Sequence, residues 1–292
     1  FPKGLQLSII EPMTETSGSK LAQGWKKNLG IFMVSQALSL FGSALVQYAL
    51  LWHITLETKS GVMMTLYVIC GFLPTFFLSP FAGVWADRYD RKKLIMFADG
   101  LIALVTLLMA LIFLASGRSM LLILLVAGIR AFGTAVQHPA VGAILPQMVP
   151  KEHLTKVNGI NGSIQSALSF AAPLASVAVL SFTGIEVIFF IDIVTALFAI
   201  ILLASFLKVR PHEKALRAKG TPYFKEMLDG FRYIRDHRFL VSFFTYVGFF
   251  LILVTPAALL TPLQTARRFG EEVWRLTSLE ILFSSGMMAG GL

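Results

Sequence analysis

Long apolar runs constrain this chain more than any other feature. Seven of them occur, at residues 29–54, 62–86, 93–117, 120–144, 160–182, 185–207 and 239–262, and an eighth begins near 276 and is still apolar at 292. A helix needs about 20 apolar residues to cross the hydrocarbon core of a bilayer. Each complete run meets that length. Composition points the same way. Only 14% of the residues are charged against 56% hydrophobic, where soluble domains carry about 25% charged residues. The surplus apolar surface must face lipid. Backbone polar groups cannot stay unpaired there, so the chain must span as helices or as a closed barrel. Barrel strands alternate apolar and polar residues, whereas stretches such as 121–126 and 199–207 are apolar on every side. An all-α membrane protein follows.

The first run starts too late and is too long for a cleavable signal peptide. It is expected to be an uncleaved first span. The sequence opens on Phe1, and Met13 is a natural start candidate, so residues 1–12 stand outside the fold argument.

Lys and Arg distribute unevenly between the connecting segments. With the N-terminus placed in the cytoplasm, the inner segments hold 18 of them and the outer segments hold five: Lys59, Arg118, Arg267, Arg268 and Arg275. Cytoplasmic loops carry such an excess. This accounts for the net charge of +9 without nucleic acid, since no basic-aromatic interleaving accompanies it. Trp25, Trp52, Trp85 and Trp274 are expected at the span ends, in the interfacial belts. Cys70, the only cysteine, cannot form an internal disulfide and reads as a packing residue.

Between 208 and 238 lies a basic link. Phe224, Met227, Leu228, Phe231 and Ile234 recur there at helical spacing with polar residues between them. That pattern predicts an amphipathic helix on the inner membrane face, or one packed on neighbouring loops. The expected organisation is an N-terminal segment at 1–28, a six-helix bundle at 29–207, the link at 208–238 and a partial second bundle at 239–292. Two bundles in series is a transporter layout.

The sharpest local signal is the turn Gly83-Val84-Trp85-Ala86-Asp87-Arg88-Tyr89-Asp90-Arg91-Lys92-Lys93. Six charges crowd a short connection between two spans, where opposite charges can pair at a helix end. Such a turn can also merely set topology. The stretch resembles the loop 2–3 signature of the major facilitator superfamily at Gly83, Asp87, Arg88, Arg91, Lys92 and Lys93. Asp90 stands where most members carry Gly, as in the macrolide-efflux branch. Arg130-Ala131-Phe132-Gly133-Thr134-Ala135 resembles the fourth-helix arginine motif. His138-Pro139-Ala140, Leu145-Pro146, the stretch from Val149 to Gly159, Gln165-Ser166, Phe190-Ile191-Asp192 and the stretch from Phe283 to Gly291 resemble the same branch. The fifth-helix Gly-Pro motif of antiporters appears as Ala172-Pro173, with the proline kept.

The resemblance implies a major-facilitator-type helical bundle: the N-terminal six-helix half and the start of the C-terminal half. It implies a twelve-helix pump, of which this sequence would reach the eighth helix. It also implies a substrate cavity between rocking halves, with loop 2–3 latching one conformation and partners of that latch in the eleventh helix. The implied setting is a bacterial-type inner membrane. The implied activity is export of amphipathic drugs of macrolide type in exchange for protons. A carrier for a specific metabolite or siderophore, and a non-transporting fragment, are the competing readings.

Charges inside the spans are expensive, at about 2.5–3.5 kcal/mol on insertion scales, and so are expected to face the bundle interior. Arg130 lies roughly 15 Å along its helix and could tune a carboxylate or water in the cavity, or bond backbone carbonyls. Asp192 is the leading protonatable carboxylate, with a structural hydrogen-bonded role as the alternative. Asp99 is a third coupling candidate, with a structural role capping the loop 2–3 network as the other reading. At depths measured from opposite faces, Asp99 and Asp192 are not expected to touch. Gln36, Ser39, Ser43 and Gln47 share one face of the first helix. With Gln137, His138, Gln165 and Thr255 they could line a polar cavity, or hydrogen-bond between helices. No metal-ligand cluster, phosphate loop or nucleophile–base pair occurs. The glycines at 286–291 lack a following Lys-Ser/Thr. No cofactor, metal, ATP-driven step or enzymatic activity is expected.

Overall fold

The computed structural model of the chain describes residues 16–117, 119–207, 223–270 and 272–290. Met13, Arg118 and the link residues Lys208, Arg210, Lys214, Arg217 and Lys219 lie outside these, as do the side chains of Lys20, Phe224, Lys225, Met227 and Phe231. Every regular element among the described residues is helical. They are α1 (Thr16–Thr58), α2 (Gly61–Arg88), α3 (Arg91–Ser116), α4 (Met120–Met148), α5 (Leu154–Phe182), α6 (Ile185–Phe206), α7 (Tyr223–Asp236), α8 (Arg238–Phe269) and α9 (Val273–Gly290), with a 3-10 turn, Lys151–His153, before α5.

Seven helices, α1 to α6 and α8, are long and apolar enough to cross a membrane. Their ends follow local chemistry. Lys59, with a positive φ of 47°, ends the α1 path, and the Ser60 hydroxyl accepts from the Met63 amide at 3.4 Å to start α2. Asp90 caps α3 by accepting from the amides of Lys92 at 3.0 Å and Lys93 at 3.4 Å. A carboxylate in this place satisfies donors that the helix leaves open and complements its dipole. Gly117, at φ 88°, ends α3 in a conformation that a side chain disfavours. Pro74, Pro80, Pro139, Pro146 and Pro173 all sit inside spans, where neighbouring helices can satisfy the freed carbonyls.

The first six helices pack as neighbours in the order α2, α4, α3, α6, α1, α5, and α1 also touches α2 and α4. α9 lies on α5, and α8 meets α1, α2 and α9. The interior has three levels. At the end bearing loop 2–3, Phe32, Ile95, Ile144, Val157 and Leu203 form one apolar cluster. At the other end, Leu45, Leu50, Met109, Ile123, Ile188 and Phe189 form a second, joined by Leu263 of α8. Between them lies a layer of buried polar side chains: Ser39, Asp99, Thr106, Arg130, Gln137 and Asp192. The outward surface is apolar, as at Phe72, Phe76 and Leu253, which suits lipid contact.

α7 falls where the helical spacing predicted a helix. Leu228 and Tyr233 are exposed on it, and it packs against α2 and α8. The tryptophans differ from the expectation in one case. Trp52 is 1% exposed, because α1 is the central helix of its half and turns this residue inward. Trp25 stacks on His153 at 5.1 Å, and Trp274 is exposed with its indole N–H donated to Glu272 at 2.7 Å.

α1 and α6 approach most closely at Gly42. A Cβ added there would lie 2.9 Å from the Asp192 Cα and would also collide with the Thr195 hydroxyl. Substituting Gly42→Val is therefore expected to lower stability by about 1–3 kcal/mol through overpacking, read as a fall in thermal unfolding temperature in detergent. Gly142→Val, which meets open space, is expected to change it little.

Candidate functional site

Four helices converge on Arg130 and Asp192. Asp192 is fully buried on α6. Its Oδ2 accepts from the Arg130 guanidinium at 2.6 Å and from the Thr106 hydroxyl of α3 at 3.1 Å. Its Oδ1 accepts from the Ser43 hydroxyl of α1 at 3.3 Å. Arg130 also donates to Thr106 and, at 3.3 Å, to the Ser43 carbonyl. A buried ion pair persists only when its remaining donors and acceptors are satisfied, and here both side chains are. Arg130 thus contacts both a carboxylate and a backbone carbonyl. Thr106 was not singled out from the sequence. Nothing in a lone threonine within an apolar run marks it, and only the packing of α3 against α6 reveals it.

A second polar group lies on the same layer. Asp99 Oδ1 accepts from Ser39 at 2.7 Å and from the Gln137 side chain at 2.5 Å. This corrects the expectation that Asp99 caps the loop 2–3 network. Two turns of α3 separate it from Arg91, and it faces α1 and α4 instead. Asp99 and Asp192 keep separate hydrogen-bond partners.

A cavity of about 380 Å³ opens between α1, α2 and α4. Ser43, Gln47, Tyr67, Thr75, Arg130 and His138 supply its polar wall, and Leu50, Val68 and Phe72 supply apolar surface. The cavity-lining expectation divides here. Ser43, Gln47 and His138 line the cavity. Gln36 is buried away from it, and Ser39 and Gln137 are spent on Asp99. Gln165 is half-buried on α5 outside that wall, and Thr255 is exposed on α8. α1 presents its polar stripe to three different neighbours, so one shared face does not mean one shared cavity.

Loop 2–3 is a bracing point. The Arg91 side chain donates to the carbonyls of Ala86 at 2.9 Å and Ala143 at 2.8 Å, to Gln147 at 3.4 Å and to Asp87 at 3.4 Å. Lys92 donates to the carbonyls of Ala204 and Leu207 at 3.1 and 2.8 Å. These two cations tie together the ends of α2, α4 and α6, and the carbonyls of Ala86, Ala204 and Leu207 lie beyond the last helical donors. Asp87 and Lys93 are exposed, Arg88 and Gly83 half-buried. Truncating Arg91→Ala is expected to cost about 2–4 kcal/mol, since several bonds to a charged donor are lost. Asp87→Asn, at an exposed pair, is expected to stay within about 0.5 kcal/mol. Thermal unfolding of both variants in detergent checks this.

Among the described residues no group of His, Cys, Asp and Glu could hold a metal ion. The family model described as Major Facilitator Superfamily matches residues 31–292. Macrolide efflux protein A of Streptococcus pyogenes is 29% identical over 92% of this chain and 66% of its own length. Its namesake in Enterococcus faecalis is 30% identical over 77% of this chain and 69% of its own. The chain thus spans about two thirds of the length of the relatives it matches. A staphyloferrin A transporter of Staphylococcus aureus is 29% identical over 43% of this chain. Among solved structures, the peptide transporter POT superposes with a TM-score of 0.51 at 17% identity, over 80% of this chain and 46% of that one. With its all-helical bundle, its membrane-length spans and its loop 2–3 signature, the chain belongs to the major facilitator superfamily and is macrolide-efflux-like in sequence.

Proposed function

We propose that this chain forms the N-terminal half, and the start of the second half, of a secondary exporter of amphipathic drugs of macrolide type, driven by proton antiport. The observation that carries the reading is the position of Arg130: its guanidinium borders the cavity while tied to the buried Asp192. The charge of the cavity wall therefore depends on whether Asp192 is ionised. Protonating Asp192 would free Arg130 to face the cavity, and losing the proton would draw it back. A proton and a substrate can then compete through one side chain. The mixed wall, aromatic and aliphatic with a few hydroxyls and amides, suits a bulky amphipathic molecule. The likeness to macrolide efflux protein A supports the substrate class.

The charge asymmetry supports a cytoplasmic N-terminus, loop 2–3 and α7, the likeness to bacterial efflux proteins supports a bacterial-type inner membrane, and in this reading loop 2–3 acts as a conformational latch. A second reading, a carrier for a siderophore, is supported by the partial similarity to the staphyloferrin A transporter.

Cells expressing the gene are expected to accumulate less labelled macrolide than controls and to lose the difference when the proton gradient is collapsed. Asp192→Asn is expected to lower gradient-driven efflux at least about tenfold, a change of about 1.4 kcal/mol in the coupled step. Unchanged efflux in Asp192→Asn across a range of pH would remove that residue from coupling. Export of a ferric siderophore with no effect on macrolide would replace the first reading by the second.

A further inference from the structure

The polar layer holds two buried carboxylates in different electrical settings. Asp192 has a cation at 2.6 Å. Asp99, 1% exposed, has none among the described residues: it accepts from the neutral side chains of Ser39 and Gln137, both on Oδ1. Its Oδ2 is buried without a hydrogen-bond partner, and so are both the Oε1 and the Nε2 of Gln36. Gln36, 3% exposed, precedes Ser39 by three residues and so lies on the same face of α1. Three unpaired polar atoms thus belong to the faces that meet at the Ser39–Asp99 contact.

The surrounding charges do not compensate Asp99. α4 carries Arg130 and α6 carries Asp192, and these two neutralise each other. α1 offers no charged side chain among its buried polar residues Ser35, Gln36 and Ser39. On α3 itself, Lys92 is held by carbonyls at the end of α6. His138 of α4 stands at the cavity wall. An ionised carboxylate buried without a cation is penalised by several kcal/mol, roughly the effective desolvation of one ion, and the neutral acid avoids this. A neutral acid also changes the hydrogen-bond inventory, because Oδ2 becomes an O–H donor. Gln36 Oε1, on the α1 face that carries Ser39, is an acceptor in want of a donor.

We propose that Asp99, with Ser39, Gln137 and Gln36, forms a proton-binding site separate from the Arg130–Asp192 pair. Occupation adds one proton from water, forming the Oδ2–H bond, and transfers no electrons. Release leaves a carboxylate still holding both donors on Oδ1. A hard metal cation is the weaker fit, since such ions take about six oxygens and the group offers few. Gln137 adjoins His138, so the site lies one residue along α4 from the cavity. The inference deepens the proton-coupled reading by adding a second site, yet its test needs no transport.

The test is pH-difference infrared spectroscopy of the detergent-purified chain, reading the C=O stretch of protonated carboxyl groups. The wild type is expected to show such a band at neutral pH and to lose it on alkalinisation. Asp99→Asn is expected to abolish the band and Gln36→Leu to shift its frequency. No band in the wild type, or a band that survives in Asp99→Asn, would overturn the site. A sodium-dependent shift of the ionised carboxylate stretch, with no protonated band, would overturn it in favour of a cation. If Asp99→Asn does not fold, the wild-type titration and Gln36→Leu decide, since a band insensitive to both alkali and Gln36→Leu contradicts the proposal. A band without macrolide efflux would leave the site standing and sink the exporter reading. Efflux without the band would do the reverse.

Discussion

A permanently charged guanidinium in the middle of a hydrocarbon-embedded bundle is the constraint around which the rest of this half is arranged. Arg130 cannot shed its charge, and lipid offers nothing to solvate it. It must meet an anion and further acceptors inside the protein. Asp192 provides the charge, Thr106 and the Ser43 carbonyl complete the set, and each comes from a different helix. One side chain on α4 therefore dictates how α1, α3 and α6 must face one another. The close approach of α1 to α6 at Gly42 is the steric side of the same demand, because only a residue without a side chain lets the Ser43 backbone come near Asp192. Apolar clusters above and below then seal the polar layer.

The cavity borders Arg130 and Ser43, so the pair that fixes the helix arrangement also contributes a charged group to the cavity wall. Loop 2–3 works at a distance from this pair. Arg91 and Lys92 grip the ends of α2, α4 and α6 through main-chain carbonyls, which gives those helices a common footing at one end. A motif that reads as a charge cluster in sequence is, in space, mostly a set of cations on backbone oxygens. Asp90, the departure from the family pattern, caps the helix that follows.

The spans and their number were legible because lipid imposes a length and a composition that few other structures mimic. The importance of Arg130 and Asp192 was legible from the expense of charge at depth. Their pairing was within reach too. α4 and α6 run in the same direction, and the two residues lie about 15 and 10 Å from corresponding ends at the helical rise. What a single sequence does not fix is which faces of which helices meet. For that reason the neighbours of Asp99 and the role of Thr106 are not legible in the sequence, and the α1 stripe of Gln36, Ser39, Ser43 and Gln47 does not divide there into cavity wall and helix contacts. Trp52 was misplaced on the same ground: distance from a span end says nothing about which way a ring points.

The dependence of the bundle on its buried pair is tested most directly by a double-mutant cycle, Arg130→Met and Asp192→Leu, read by reversible unfolding in detergent. Each single change leaves a partner charge buried alone and is expected to cost about 3–5 kcal/mol. The double change removes both charges and is expected to cost less than either single change, with a coupling of at least about 2 kcal/mol. Two effects that simply add would contradict the account, because the pair would then not be what orders the helices.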